Sequence, residues 1–146
     1  MRYLLCVLTL LLSVEAGAHR FAPSLLEVRQ LSDNGLTATW KTPAQKVSAT
    51  PIEPQFPPDC KRTSESPWIQ EGTGMLRQIQ LTCPDGIVGK TVSVSGLGEN
   101  QSSALLRVYL AEDVFHQAVF TADQPSFLVP TEGTPSAVIL DYSWLG

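Results

Sequence analysis

Histidine and cysteine carry the most specific chemistry in this 146-residue chain, and both are scarce. Its two histidines are His19 and His116. If the chain is cut after Ala18, His19 becomes the first residue and can chelate through its free amine and its ring nitrogen. A ring nitrogen from His116 would complete a three-nitrogen site suited to Cu(II) or Ni(II). The competing reading is a solvated terminal imidazole and an unrelated strand residue. Cys60 and Cys83 could serve as a redox or metal pair, or as a structural disulfide. Their spacing is unlike Cys-x-x-Cys and no histidine lies close to them in sequence, so the disulfide is the expected state. Closing a loop of that length contributes about 3–3.5 kcal/mol in the chain-entropy description.

Support for catalysis is thin. The chain has no Gly-x-Ser-x-Gly and no His-Glu-x-x-His. Glu112, Asp113 and Asp123 read as carboxylates in solvated turns. Ser93 and Ser95 alternate with Val92 and Val94, as the outer face of a strand should. Trp40 and Trp68 could be ligand platforms, with packing roles expected to prevail. Asn100-Gln101-Ser102 matches a glycosylation sequon, relevant only in a eukaryotic host. These residues point away from an enzyme.

The chain's beginning sets the compartment in which those residues should be read. Arg2, an apolar run from Leu4 to Leu12, and Ala16-Gly17-Ala18 have the anatomy of a secretory signal peptide. Residues 1–18 are therefore expected to be a cleaved leader, and 19–146 a single domain working in the periplasm or outside the cell. Cys6 leaves with the leader. The formal net charge is −4, and there is no basic run, which argues against nucleic acid and anionic membrane surfaces as partners. No later apolar stretch has the length of a transmembrane helix.

Short alternating segments dominate the rest. Leu26 and Val28, then Leu36, Ala38 and Trp40, flank Asp33-Asn34-Gly35 and predict an opening hairpin. Prolines from Pro43 to Pro67 predict loop and edge, with at most one short strand around Lys46 to Ala49. Further strands are expected over 76–83, 91–94, 104–110, 114–120, 127–129 and 137–142. His116 shares parity with Val114, Ala118 and Phe120, which places it beside the core. About eight strands with regular turn signals predict an all-β, antiparallel β-sandwich of immunoglobulin-like architecture. The spacing of Cys60, Trp68 and Cys83 is too short for the usual immunoglobulin inter-sheet pair. The expected core contains Leu36, Trp40, Ile79, Leu81, Val92, Val94, Leu106, Val108 and Val138.

The stretch from Ala18 to Val28, AHRFAPSLLEV, resembles the start of the mature region in HupE/UreJ-type membrane proteins that carry an N-terminal extracytoplasmic domain. Trp40-Lys41-Thr42-Pro43 is similar to that domain's second-strand ending. Cys60 through Cys83-Pro84-Asp85-Gly86-Ile87-Val88-Gly89 is similar to its cysteine pair and following turn. Asp141-Tyr142-Ser143-Trp144-Leu145-Gly146 looks like the approach to the first membrane helix. Family members continue into membrane helices bearing the His and Asp residues linked to a proposed metal-transport role. This chain contains none of those helices, so the resemblance implies either a truncated product or the isolated extracytoplasmic domain, and not transport. Two functions follow as expectations. One is a non-enzymatic accessory or interaction domain associated with a membrane protein partner of that type. The other is a periplasmic copper- or nickel-binding module using His19.

Overall fold

The computed structural model describes residues 22–110 and 114–131. The leader, Val138 and the strand expected over 137–142 lie outside the described residues. Within them the chain is all-β, with ten strands: β1 (Ser24–Gln30), β2 (Gly35–Pro43), β3 (Glu53–Gln55), β4 (Lys61–Glu65), β5 (Ile69–Glu71), β6 (Gly74–Thr82), β7 (Thr91–Ser95), β8 (Ala104–Tyr109), β9 (Phe115–Phe120) and β10 (Ser126–Leu128). A seven-stranded sheet runs β4-β6-β2-β1-β8-β9, with β5 also paired to β6. A three-stranded sheet runs β10-β7-β3.

The opening hairpin forms as expected. Leu26 faces Trp40 and Val28 faces Ala38 across β1 and β2. Leu31 N–H donates to Gly35 O at 2.8 Å, and Gly35 N–H donates to Ser32 Oγ at 3.0 Å, which closes the turn. Strict alternation then puts Leu36, Ala38 and Trp40 on the buried face of β2, with Thr37 and Thr39 between them only half-buried.

Two corrections concern the strands. The β1–β8 pair is parallel, with Leu26 beside Leu106 and Val28 beside Val108, so the large sheet is mixed rather than antiparallel. Alternation specifies the face a residue takes and says nothing of a neighbour's direction. The second correction lies in the proline-rich stretch. Lys46–Ala49 forms no strand, whereas β3, β4 and β5 do. All are short, and every residue of β4 and β5 is exposed, so no buried face marks them in the sequence.

One apolar cluster joins the two sheets, consistent with a β-sandwich. The large sheet contributes Leu26, Val28, Leu36, Ala38, Trp40, Ile79, Leu81, Leu106, Val108 and Phe120, and the small sheet Val92 and Val94. Ile52, Ile87, Leu97 and Val129 enter from loops. Each expected core residue within the described range is buried. Full burial of a Leu, Val or Ile side chain contributes about 1.5–3 kcal/mol, so this cluster is the main source of stability.

Asn100 fixes the loops at one end. Its Oδ1 accepts from Ser48 N–H at 3.2 Å, and its Nδ2 donates to Thr50 O and Gly96 O, each at 2.8 Å. Gly96 beside it has φ +78°, and a Cβ there would meet Pro51 O at 2.2 Å. The residue read as a glycosylation acceptor is thus a buried latch with both amide hydrogens engaged.

Candidate functional site

The sandwich is closed on one side by charge rather than by apolar packing. Arg77 lies on β6 opposite Trp40, at the parity of Ile79 and Leu81, and so points toward the small sheet. Its side chain is only 11% exposed. It pairs with Glu65 of β4 at 3.1 Å and with Glu53 of β3 at 3.7 Å, which links the two sheets. Arg62 repeats the device. It pairs with Glu65, donates to Pro54 O at 3.2 Å, and sits over Phe56 with 5.6 Å from guanidinium carbon to ring centroid.

Trp68 stands on this seam. The Arg77 guanidinium carbon lies 4.6 Å from its ring centroid, within the range of a cation–π contact. Ser66 positions the segment: its N–H donates to Gln78 O and its Oγ accepts from Gln78 N–H, both at 2.9 Å. Beyond Trp68, β5 turns back on β6 through Gly72 at φ +60°. Lys41 Nζ holds Glu71 of β5 at 2.7 Å. The result is a braced indole that is still 41% exposed, with Ile69 beside it 58% exposed. Behind it, Trp40 Nε1 and Arg77 Nε, on facing residues, are buried donors that meet no acceptor among the described residues.

A second constellation surrounds the cysteines. Cys60 and Cys83 form a disulfide at 2.03 Å. Lys90 Nζ donates to Asp59 at 2.7 Å and also to Pro84 O, the residues next to the two half-cystines. The hydrogen bond from Lys90 holds the exposed Asp59 carboxyl below its ordinary value of 3.8, with the charge of the same lysine adding to it and desolvation opposing it. The arrangement is a staple with a charged clamp. It supports a structural role for the pair, and a disulfide suits an oxidising, extracytoplasmic compartment.

The remaining sequence candidates divide between described and undescribed positions. His19, Glu112 and Asp113 lie outside the described residues. His116 is on the inner face of β9 and 8% exposed, as its parity requires. Among the described residues no group of three or more His, Cys, Asp or Glu side chains is placed to hold a metal ion. Asp123 is exposed in the β9–β10 turn. Ser93 and Ser95 lie on the outer face of β7 and line a shallow concavity of about 720 Å³ with Gly96, Leu97, Glu99 and Ala122. Trp40 is fully buried.

No family model matches this chain, and no curated protein is significantly similar to it. Among the described residues no helix is long and apolar enough to cross a membrane.

Sequence reasoning missed the Arg77 seam. The signal was present: in Arg77-Gln78-Ile79-Gln80-Leu81 an arginine occupies a core-parity position. A buried arginine requires fixed partners, and those partners sit on strands the sequence does not announce.

Proposed function

We propose that this chain is a non-enzymatic extracytoplasmic interaction domain, periplasmic or secreted, that docks a membrane protein partner of the HupE/UreJ type through Trp68 and Ile69. The observation that carries this reading is the braced, exposed indole of Trp68 over Arg77. Binding energy at protein interfaces concentrates in a few Trp, Tyr and Arg side chains held in place before contact. Trp68 is already immobilised by Arg77 and by the Ser66–Gln78 bonds, so docking costs little ordering entropy. The disulfide staple supports the extracytoplasmic location. An immunoglobulin-like architecture belongs to the same reading, supported by two sheets that share one core.

A photo-crosslinking residue at Ile69 tests the reading in cells exporting the chain. The expected product is one dominant adduct to an integral membrane protein, absent when the crosslinker sits at Ser95 and lost in Trp68→Ala. Equal adducts at both positions, or none at Ile69, would contradict it.

A further inference from the structure

The far edge of the large sheet carries a different message. β9 is its outermost strand among the described residues. Leu110 N–H donates to Val114 O at 2.9 Å, which makes 110 and 114 a hydrogen-bonded pair of the antiparallel β8–β9 ladder. The register continues through Val108 with His116, Leu106 with Ala118 and Ala104 with Phe120. Residues of that parity therefore turn their backbone groups toward β8. Phe115, Gln117 and Val119 turn theirs away from the sheet. These three also have exposed side chains, with Phe115 and Val119 each 45% exposed.

The two outer edges of this sheet are built differently. β4 carries Lys61, Arg62 and Glu65 and a register break between Arg62 and Ser64, and Pro67 follows it. Charges, bulges and prolines are devices that keep edges from pairing. β9 reads Phe-His-Gln-Ala-Val-Phe, with no acidic or basic Lys, Arg, Asp or Glu and no proline, and its ladder shows no register break.

We propose that two copies of this chain pair antiparallel through β9, about a two-fold axis at Gln117. Gln117 then faces Gln117 of the second copy, and Phe115 faces Val119 of the second copy at either side. Each of these facing pairs exchanges two backbone hydrogen bonds, made by the groups that point outward. The side chains match on one face: an aromatic against a β-branched residue twice, a favourable cross-strand combination, with amide against amide at the centre. A self-complementary pattern of this kind is what a two-fold interface requires. The charge on the neighbouring strand does not oppose it. Arg107, opposite Gln117 on β8, would lie three strand spacings from its copy, roughly 14 Å, beyond a screening length of about 8 Å at physiological salt. A single edge strand buries less than the roughly 1,200 Å² of a stable interface, so the dimer is weak and concentration-dependent. The surface is separate from the Trp68 seam, at the opposite edge of the sheet, and stands or falls independently of it.

Sedimentation equilibrium of the oxidised protein from micromolar to millimolar concentration reads the association. The weight-average mass should climb toward twice that of the monomer. Gln117→Lys, which sets two ammonium groups face to face at an exposed position, should weaken association at least ten-fold. Gln117→Glu should do the same, and an equimolar mixture of the two variants should restore dimers. A monomer at every concentration, a dimer indifferent to Gln117→Lys, or a mixture that stays monomeric would overturn the proposal.

Discussion

Arg77 and Trp68 form one unit: the guanidinium carbon sits 4.6 Å from the indole centroid while the same side chain reaches Glu65 and Glu53. The pair links the closure of the sandwich to the presentation of the more exposed of its two described tryptophans. Arg77→Ala should destabilise the protein by about 1–3 kcal/mol, because Glu53 loses its cation and Glu65 keeps only Arg62. A double-mutant cycle with Trp68→Ala, read by urea denaturation, should give a coupling of about 0.5–1 kcal/mol. Strict additivity would show that the stacking contributes nothing.

The Lys90–Asp59 clamp predicts a pH dependence. Asp59 is held below 3.8 in the folded chain by its bond to Lys90. A carboxyl depressed on folding contributes stability above its unfolded value, and that contribution is lost as the pH falls through 3.8 and below. Lys90→Met should therefore flatten the acid limb of the stability curve while leaving its shape above pH 5 unchanged. An acid limb identical in the two proteins would remove the clamp from the account.

Replacing both Cys60 and Cys83 with Ser should cost about 2–4 kcal/mol and leave the β-sheet dichroism intact. Native oxidised protein should show no reactive thiol until it is denatured with reductant. Two titrating thiols in the native state would contradict a structural pair.

The Asn100 latch should be sensitive out of proportion to its size. Asn100→Ala removes three hydrogen bonds and should cost at least about 2 kcal/mol. Asn100→Asp keeps the acceptor for Ser48 N–H but sets a buried carboxylate oxygen against the Thr50 and Gly96 carbonyls, so it should unfold no higher than Asn100→Ala. If Asn100→Ala unfolds like the wild type, the loop is held by something else. A glycan on Nδ2 would displace a hydrogen that the fold uses, so folded protein should be unmodified there.

What could be read from the sequence follows from where alternation exists. Leu36, Ala38 and Trp40, or Leu106 and Val108, announce their face because the neighbours between them are polar or less buried. The hairpin at Gly35 announces its partner because its turn is short. The parallel neighbour of β1 could not be read, since Leu26 beside Leu106 satisfies the inner face in either direction. β4 was invisible for another reason: Lys61–Glu65 is exposed on both faces and is held by backbone pairing and by Arg62. The Arg77 seam therefore escaped, although Arg77 at core parity marked it. Cys60 with Cys83 was legible from composition and compartment, while Lys90, which clamps their neighbours, comes close only in three dimensions.

The central claim is that Trp68 is the anchor of a protein contact. The most direct measurement is the affinity of the purified domain for the membrane protein captured through Ile69, by calorimetry in detergent. Trp68→Ala should weaken binding by about thirty-fold or more, the scale of a loss of at least 2 kcal/mol at an interface anchor, with Ser95→Ala unchanged. Binding that survives Trp68→Ala within two-fold would contradict the account.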